Sequence, residues 1–468
     1  MNFEIILACD TQYGIGQILW HISDDLKFFR NKTLNCVVIM GRKTADTFNS
    51  PLSNRINIVI TTHENYRRDD GFYSAKTLDC ALIYAKKLCK KIFIIGGAQL
   101  VEYAVQNKYC RGIYINYIDY NYKCDIKLTD KCIEYIKKTY VQQIMNIKGL
   151  HCKKINKLVN VKFIYYTYIN HEEMQYLKLL DKILKEGELC NTRNGTTYSI
   201  FGEKLVFDLT NGFPLLTTKK MFSRGIFEEL LFFLKGCTNT KLLEDKKIMI
   251  WHDNTTTAFI EKNNKKLKEY DMGPMYGYQW RHYGGAYPDI NSGIDQLSQV
   301  IDLLVHDPSS RRILMTTYNP EQVEQGVLYP CHGLQIQFNV SSQKYINLQM
   351  YQRSADCILG LPFNIASYAL LLHIITNMVN NNIKRKHNID YIPGRLIIIL
   401  GDAHIYTDEK SNHINAAYKQ LELQTYKFPT LNITKKLITL EDMENMTIDD
   451  IYVNDYISGP VIKAYMIA

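Results

Sequence analysis

This 468-residue chain lacks a long apolar run free of polar residues, the pattern expected of a membrane span. The nearest, Leu361 to Val379, is broken by Asn364, Ser367, His373 and Asn377 and is expected to be a buried helix. No signal-like segment opens the chain, because Met1-Asn2-Phe3-Glu4 leads directly into a strand-like run; a soluble intracellular, cytoplasmic protein is expected. Proline is scarce, at 11 residues, and no Pro/Gly/Ser linker, low-complexity stretch or internal repeat divides the chain. The 12 cysteines form no CxxC pair and no metal-like spacing. That argues against a metal site or a disulfide framework and suits free thiols in a reducing compartment. Only three Trp occur, at 20, 251 and 280, and each falls inside a candidate motif.

What is present describes a globular protein. Hydrophobic residues make up 46% and charged residues 22%, and the length predicts two or three domains, each able to bury a core. The net charge of +9 is uneven: Met1 to Asn170 carries 25 Lys and Arg against 14 Asp and Glu (+11), and the remainder 31 against 33 (−2). A basic first part suits anionic small ligands or nucleic acid. A solvated Lys-rich surface explains it equally well, and no RNA-binding signature accompanies it.

In the first part, Phe3 to Cys9 reads as an apolar strand ending at Asp10, followed by Gly14-Ile15-Gly16 and Trp20. Ser23 and Asp24 are placed to cap a helix through Asp25-Leu26-Lys27-Phe28-Phe29-Arg30, with Leu26 and Phe29 on one face. Asp25 would then be a carboxylate facing an apolar slot beside Trp20 and Phe29; an acid favoured by the helix dipole is the plainer reading. Three further apolar strands end at Gly41-Arg42-Lys43-Thr44, at Thr61-Thr62 and at Gly96-Gly97 before an amphipathic run from Ala98. Strand, glycines and helix start, occurring twice with Arg55 between, point to a dinucleotide. The Rossmann fingerprint is absent, since no GxGxxG follows the first strand.

Val161 to Ile169 alternates as a strand and runs through Asn170-His171-Glu172-Glu173 straight into a helix, Met174 to Glu186, so two domains should adjoin closely here. Beyond it, Arg193 sits in a polar loop, and a helix from Arg224 to Leu234 holds Glu228 and Glu229. Helical spacing allows Glu228 to face solvent and puts Glu229 on a largely apolar face, where a partly buried acid would gain a raised pKa suited to proton relay; a surface helix acid is the plainer reading. Asp307-Pro308-Ser309-Ser310-Arg311-Arg312 brings two guanidinium groups to a strand entrance, where joint use on one anion would require a bend. The densest cluster is Leu328 to Tyr368. Cys331 lies between Pro330 and His332 and opens a strand-like run, Leu334 to Val340. A second run, Tyr345 to Tyr351, is followed by Gln352-Arg353-Ser354, Asp356, a Gly-Leu-Pro bend and Asn364 opening an apolar helix. A thiol beside a guanidinium, a hydroxyl, a carboxylate and an amide makes an anion-holding site next to a nucleophile.

These segments resemble two known families. Ala8-Cys9-Asp10, Gly14-Ile15-Gly16, Trp20, Asp25 to Phe29, Met40 to Thr44, Arg55 to Val59 and Ile95-Gly96-Gly97 together resemble dihydrofolate reductase. Pro330-Cys331-His332, Tyr351-Gln352-Arg353-Ser354, Gly360-Leu361-Pro362-Phe363-Asn364 and Gly401-Asp402-Ala403-His404-Ile405-Tyr406 resemble thymidylate synthase. The whole chain therefore resembles the bifunctional dihydrofolate reductase–thymidylate synthase family. The implied fold is α/β (α+β): a reductase-like mixed-sheet domain at 1–170, then a synthase-like α/β domain at 171–468.

For the reductase half, the resemblance implies that Asp25 binds and helps protonate the pterin, with Ile6 and Phe29 against the folate and Arg55 on its glutamate carboxylate. NADPH would lie along Ala8, Gly14, Ile15, Gly16, Gly41, Arg42, Lys43, Thr44, Thr61, Thr62, Gly96, Gly97, Ala98 and Gln99, with a cis Gly96-Gly97 peptide. Two departures bear on it: only Gln17-Ile18-Leu19 separate Gly16 from Trp20, where the family has a longer mobile segment, and Asn116 stands where a Thr supports the acid.

For the synthase half, Cys331 would add to C6 of dUMP and turn C5 into an enolate carbon, with Arg353 lowering the thiol pKa. Arg193, Arg353 and Ser354 would hold the phosphate with the partner subunit's Arg311 and the partner's Arg312, which makes an obligate homodimer. His332, Gln352, Asp356 and Asn364 would line the nucleotide site, Asn364 reading the uracil amide edge. His404 and Tyr406 would bond the deoxyribose, and Glu229 and Tyr276 would organise proton transfers. Methylenetetrahydrofolate would meet Trp251, Asp356 and the closing tail ending at Ala468; no metal is implied. Competing readings are a pyrimidine hydroxymethylase acting on dCMP, which should carry an acid in place of Asn364; a synthase with a weakened reductase half; and a nucleic-acid-binding role for the basic half.

Overall fold

Runs of Val, Ile and Phe with no polar interruption can be satisfied only as strands buried on both faces, and they supply the centre of the first sheet. The computed structural model describes residues 2–16, 20–63, 71–88, 90–107, 109–342, 344–384 and 389–467. It divides into two compact units, Met1–Ile169 and Asn170–Ala468.

In the first unit the strands are β1 (Phe3–Cys9), β2 (Val37–Gly41), β3 (Ile56–Ile60), β4 (Phe72–Ala75), β5 (Ile92–Gly96), β6 (Cys110–Ile118), β7 (Tyr140–Cys152) and β8 (Lys157–Tyr168). They form one eight-stranded sheet in the order β4-β3-β2-β5-β1-β6-β8-β7. The pairings are parallel from β4 through β6 and antiparallel for β6–β8 and β8–β7. The helices are α1 (Ser23–Thr33), α2 (Arg42–Ala45), α3 (Leu78–Lys87), α4 (Ala98–Gln106) and α5 (Asp130–Thr139). Val37, Ile39, Ile94 and Ile113 are fully buried in one cluster, and Val38, Met40 and Val59 in another. The carboxyl ends of β2 and β5 lie side by side, because β2 pairs with β5 from Val37↔Ile92 to Met40↔Gly96. That register brings Gly41 and Gly96-Gly97 together.

The second unit opens with α6 (His171–Glu186), whose N-cap Asn170 accepts from the amides of Glu172 and Glu173. Then come β9 (Glu188–Thr192), β10 (Gly195–Asp208), α7 (Ser223–Leu234), α8 (Lys241–Glu244), α9 (His252–Thr255), α10 (Thr257–Lys262), α11 (Gly277–His282), α12 (Gln296–His306), β11 (Leu314–Met315), β12 (Gln335–Val340), β13 (Tyr345–Asp356), α13 (Gly360–Asn381), β14 (Ile392–Tyr406), α14 (His413–Leu421), β15 (Thr430–Ile433), α15 (Leu440–Glu444) and β16 (Ile451–Asn454). Six strands form a sheet in the order β11-β12-β13-β14-β10-β9, with β13 parallel to β14 and the rest antiparallel. The helix α13 packs on β13, β14 and α7. It is long and apolar enough to cross a membrane, but Leu361, Ile365, Leu370, Leu371, Ile374 and Ile375 are all fully buried in this unit's core.

Several local expectations change. Neither Ser23 nor Asp24 caps α1: the helix begins at Ser23, Ile22 occupies the cap, and no side chain bonds there. Leu26 is exposed rather than sharing an apolar face with Phe29. The strand β13 does not stop at Tyr351 but carries Gln352, Arg353 and Ser354 within it, because pairing with β14 continues to Asp356↔His404. Gly360-Leu361-Pro362 is the first turn of α13 rather than a bend, so Asn364 lies one turn inside the helix. Proline is tolerated there because first-turn amides have no intrahelical partner.

Candidate active sites

In the second unit the hairpin β12–β13 presents Cys331 at its entrance. The Arg353 amide donates to the Cys331 carbonyl (2.8 Å), pinning the thiol loop to β13. Tyr276, the residue before α11, has φ +41 and ψ −103. A bulky residue in that region costs about 1–3 kcal/mol and persists only where its surroundings impose it. Here the strain aims the phenol at Cys331: its hydroxyl accepts from the Cys331 amide (3.1 Å) and lies 3.5 Å from Sγ. His332 stacks on the Tyr276 ring (4.5 Å) and places Nδ1 2.9 Å from the Tyr368 hydroxyl. Burial pushes that imidazole down to about 3, so it is neutral. Gly333, at φ +65, is required twice over: the backbone is left-handed, and a Cβ would strike the Tyr368 hydroxyl.

Glu229 and Trp251 continue this chain of contacts. The Trp251 indole donates to Glu229 Oε1 (2.8 Å) and its ring lies 5.8 Å from Tyr276. Burial lifts the Glu229 carboxyl to about 7 against that single hydrogen bond. The neighbouring Glu228 does not face solvent as helical spacing suggested. It is 3% exposed and paired with Lys246 Nζ at 2.6 Å, which supplies the partner a buried acid needs. The Cys331 thiol also departs from expectation. Burial raises it, and although Tyr276 and Arg353 both pull it down, the balance stays above the ordinary value.

On the floor of the site, Gln352 Nε2 donates to Asn364 Oδ1 (3.1 Å) and to the Ser354 carbonyl (3.2 Å). Gln352 Oε1 is buried with no hydrogen-bond partner. Asn364 Nδ2 makes no hydrogen bond among the described residues. An orphaned acceptor beside an unused donor is the pattern of a site waiting for a planar ligand with the complementary edge. Parallel pairing sets Ser354 beside Asp402 and Asp356 beside His404. Asp402 Oδ1 lies 2.6 Å from His404 Nδ1, and its other oxygen accepts from Ser199 (2.6 Å). Burial opposes ionisation of Asp402, but these bonds outweigh it and hold the carboxyl below the usual range. Tyr406 stands between the rings of His404 (5.2 Å) and His413 (5.5 Å). Asp356 accepts from the amides of Ile358 (2.8 Å) and Leu359 (3.2 Å).

Three arginines lie away from this cluster's interior. Arg193 occupies the β9–β10 turn, exposed, with Nε on Asn194 Oδ1 (3.0 Å). Arg311 and Arg312 are exposed in a turn before β11, so strand alternation does not separate them. Neither forms an ion pair among the described residues. Ala468 lies outside the described residues.

In the first unit Asp25, on α1, is 6% exposed and accepts from Asn116 Nδ2 (2.6 Å) and Trp20 Nε1 (3.3 Å). Burial raises it, and those two donors oppose the rise. Arg55 donates from Nη1 to Thr33 Oγ1 (3.0 Å) and lies 5.9 Å from the Phe29 ring, fixing the guanidinium at the end of α1. Ile6 is buried on the adjacent strand and Ala8 is half-buried. The Gly96-Gly97 peptide is cis. A Cβ on Gly41 would come 3.7 Å from the Gly97 amide, and one on Gly97 3.3 Å from Thr44 Oγ1, so bare backbone lines this end of the sheet. Arg42, Lys43, Thr44, Thr61, Thr62, Ala98 and Gln99 sit at the same carboxyl edge, Lys43, Thr62 and Gln99 exposed. Gly14 is bridged to Lys127 and Ile15 donates to the Ile126 carbonyl, which sets Gly14-Ile15-Gly16 against the 124–127 segment. The short loop Gln17-Ile18-Leu19 lies outside the described residues.

Four contacts were not anticipated: Tyr368 on His332, Asp402 on His404, Thr33 on Arg55 and His413 beside Asp356. Two had a local signal. Asp402 precedes His404 by two residues on one strand, hence on one face, and Tyr368 follows Asn364 by one helical turn. Thr33 and His413 had none.

Fold and sites thus define a two-centre α/β enzyme class, one unit carrying a buried carboxyl and a glycine-lined sheet end, the other a thiol joined through Tyr276 and Trp251 to a buried acid. A dihydrofolate reductase family model matches residues 2–146 and a thymidylate synthase family model residues 174–468. The chain is 38% identical over 460 residues to the bifunctional dihydrofolate reductase-thymidylate synthase of Paramecium tetraurelia, covering 95% of this chain and 96% of that relative. It is 33% identical over 502 residues to an Arabidopsis thaliana relative of that name (96% and 86%), and 33% over 519 residues to one from Leishmania major (99% and 95%). The chain belongs to the bifunctional dihydrofolate reductase–thymidylate synthase family.

Proposed function

We propose that the chain methylates dUMP to dTMP with methylenetetrahydrofolate in its second unit and reduces the resulting dihydrofolate with NADPH in its first. The observation that carries this reading is the contact chain Glu229–Trp251–Tyr276–Cys331 ending beside the Gln352–Asn364 pair. A thiolate adding to C6 of the pyrimidine leaves the electron pair at C5, which makes that carbon nucleophilic. Glu229, with a carboxyl lifted to about 7, can both give and take a proton near neutral pH. The orphaned Gln352 Oε1 and the unused Asn364 Nδ2 suit a uracil edge; a carboxylate at Asn364 would be needed for cytosine. Arg193, Arg353 and Ser354 hold the phosphate, and His404 and Tyr406 the sugar hydroxyl.

Among the described residues Arg311 and Arg312 are exposed and unpaired with carboxylates, which suits service to a second copy's phosphate site; the enzyme is a homodimer through this unit. In the first unit the side-chain-free cradle of Gly41, Gly96 and Gly97 fits a dinucleotide phosphate, and Arg42, Lys43 and Thr44 flank it. NADPH, when bound, supplies the hydride. Asp25 then holds the pterin edge and delivers a proton, and Arg55 pairs with the folate carboxylate.

One assay tests the reading. With dUMP, methylenetetrahydrofolate and NADPH supplied together, dTMP should accumulate with matching NADPH oxidation. Absence of dTMP would overturn the synthase half, and dTMP with no NADPH oxidation the reductase half. Hydroxymethylation of dCMP instead of dUMP methylation would replace the substrate.

A further inference from the structure

The last described stretch of the chain is laid onto the second unit by backbone bonds. Gly459 donates to the Thr217 carbonyl (2.7 Å) and Lys220 donates to the Pro460 carbonyl (3.1 Å). Farther along, Asn412 Nδ2 donates to the Lys463 carbonyl (2.8 Å) and Tyr465 N to the Ser411 carbonyl (2.9 Å). His413 Nε2 lies 2.9 Å from the Tyr465 carbonyl. Ser411, Asn412 and His413 therefore form a dock for the tail, with Asn412 in the left-handed region at φ +59. The tail's side chains alternate: Val461 and Tyr465 are 65% and 59% exposed, while Ile462 and Ala464 pack against the core.

His413 differs from the rest of the dock because it faces two ways. It is fully buried at the start of α14, and its Nδ1 lies 3.4 Å from Asp356 Oδ1 without making a hydrogen bond. Both partners are acceptors, so the ring serves both fully only with a hydrogen on each nitrogen. The tail bond is of ordinary length and the Asp356 contact is long. A shift of the tail would therefore move the ring relative to Asp356, whose hydrogen bonds among the described residues come from the Ile358 and Leu359 amides, with His404 also acting on it. Tyr406, packed on the same ring, limits the directions in which it can move.

We propose that His413 is a positioning residue that ties the docked tail to Asp356, so that seating of the tail and orientation of that carboxylate are one structural event. This rests on the reading of Asp356 as the folate contact of a dUMP-methylating site. The folate half of the site then depends on the tail through His413 more than does the nucleotide half, which His413 meets through the Tyr406 ring.

The test is a mutant cycle in the full-length chain, pairing His413→Gln with Tyr465→Pro, which removes the amide that donates to the Ser411 carbonyl and keeps the tail through Ala468. The reductase rate of the same chain serves as the active-concentration reference. Each single change should raise the KM for methylenetetrahydrofolate about three- to tenfold, the net scale of one intramolecular polar contact. The dUMP Kd should stay within about twofold. Combined, the two should be no worse than either alone, since both cut the same link. Multiplying effects, or an unchanged folate KM in His413→Gln alone, would overturn the proposal. Should thermal melting show that the Gln variant does not fold, His413→Asn takes its place in the cycle, with the same two outcomes. A wild-type chain that forms no dTMP would instead remove the functional reading itself.

Discussion

Asp25 and Glu229 make a natural pair for comparison. One serves each unit, they are 6% and 7% exposed, and each accepts a hydrogen bond from a Trp indole. Burial raises both carboxyl groups. They differ in one donor: Asn116 gives Asp25 a short second bond (2.6 Å), whereas Glu229 has only Trp251. Each donor to a carboxylate stabilises the charged form, so burial sets the direction and the donors set how far the acid can go. Glu229 reaches about 7, the value suited to passing a proton both ways. Asp25 is raised by burial as well, with two donors rather than one opposing the rise.

The sharpest break in the comparison comes from removing each centre in turn. Cys331→Ser should lower dTMP formation by at least about 10⁴-fold, as loss of a nucleophile does. Dihydrofolate reduction by the same variant should be unchanged. Asp25→Asn should do the converse, lowering reduction by about 10²- to 10⁴-fold and sparing the synthase. Both rates are read from one preparation. Near wild-type dTMP formation by the Cys331 variant would defeat the covalent route.

A second test concerns Glu229 alone and has a defined sign. Its folded pKa of about 7 lies above an unfolded value near 4.3, so the native chain holds this proton more tightly. Its contribution to stability is complete below about pH 4.3, drains as pH rises toward 7, and is constant beyond. The loss amounts to about 2–4 kcal/mol. Glu229→Gln removes the buried charge while keeping an acceptor for Trp251. It should therefore raise the Tm of the second unit at pH 8 and leave it nearly unchanged at pH 5, while lowering kcat for dTMP about 10²-fold or more. Equal Tm differences at the two pH values would show that the acid is not buried in the charged form.

Most of the fold was legible because the residues that make it repeat locally. Strands β1, β2, β3 and β5 are apolar runs, and α13 is an apolar run too long for a strand. The errors fell where function overrides pattern. Gln352-Arg353-Ser354 looked like the end of a strand because they are polar, yet site residues must sit on rigid elements, and β14 keeps them paired. Gly360-Leu361-Pro362 looked like a bend because a first helical turn tolerates the same residues. Glu228 was assigned to solvent because helical spacing cannot see Lys246, which neutralises it. The candidate groups could be named by type, but their partners could not. His413 reaches Asp356, and Thr33 reaches Arg55, through tertiary pairing that no local period encodes.

The smallest effect tests the comparison most directly, by making Asp25 resemble Glu229. Asn116→Ala deletes the second donor and leaves Trp20 in place. A hydrogen bond to a charged group contributes about 1.5–3 kcal/mol, so the Asp25 pKa should rise further, by about one to two pH units. The pH profile of kcat/KM for dihydrofolate reduction should shift upward by that amount, because protonation of Asp25 now begins at higher pH. Asn116→Thr, which restores a hydroxyl donor, should return the profile part of the way. The shift should be absent from the synthase profile, where Asn116 has no role. An unmoved reductase profile in Asn116→Ala would mean that water replaces the amide, and that burial alone, rather than the number of donors, separates the two acids.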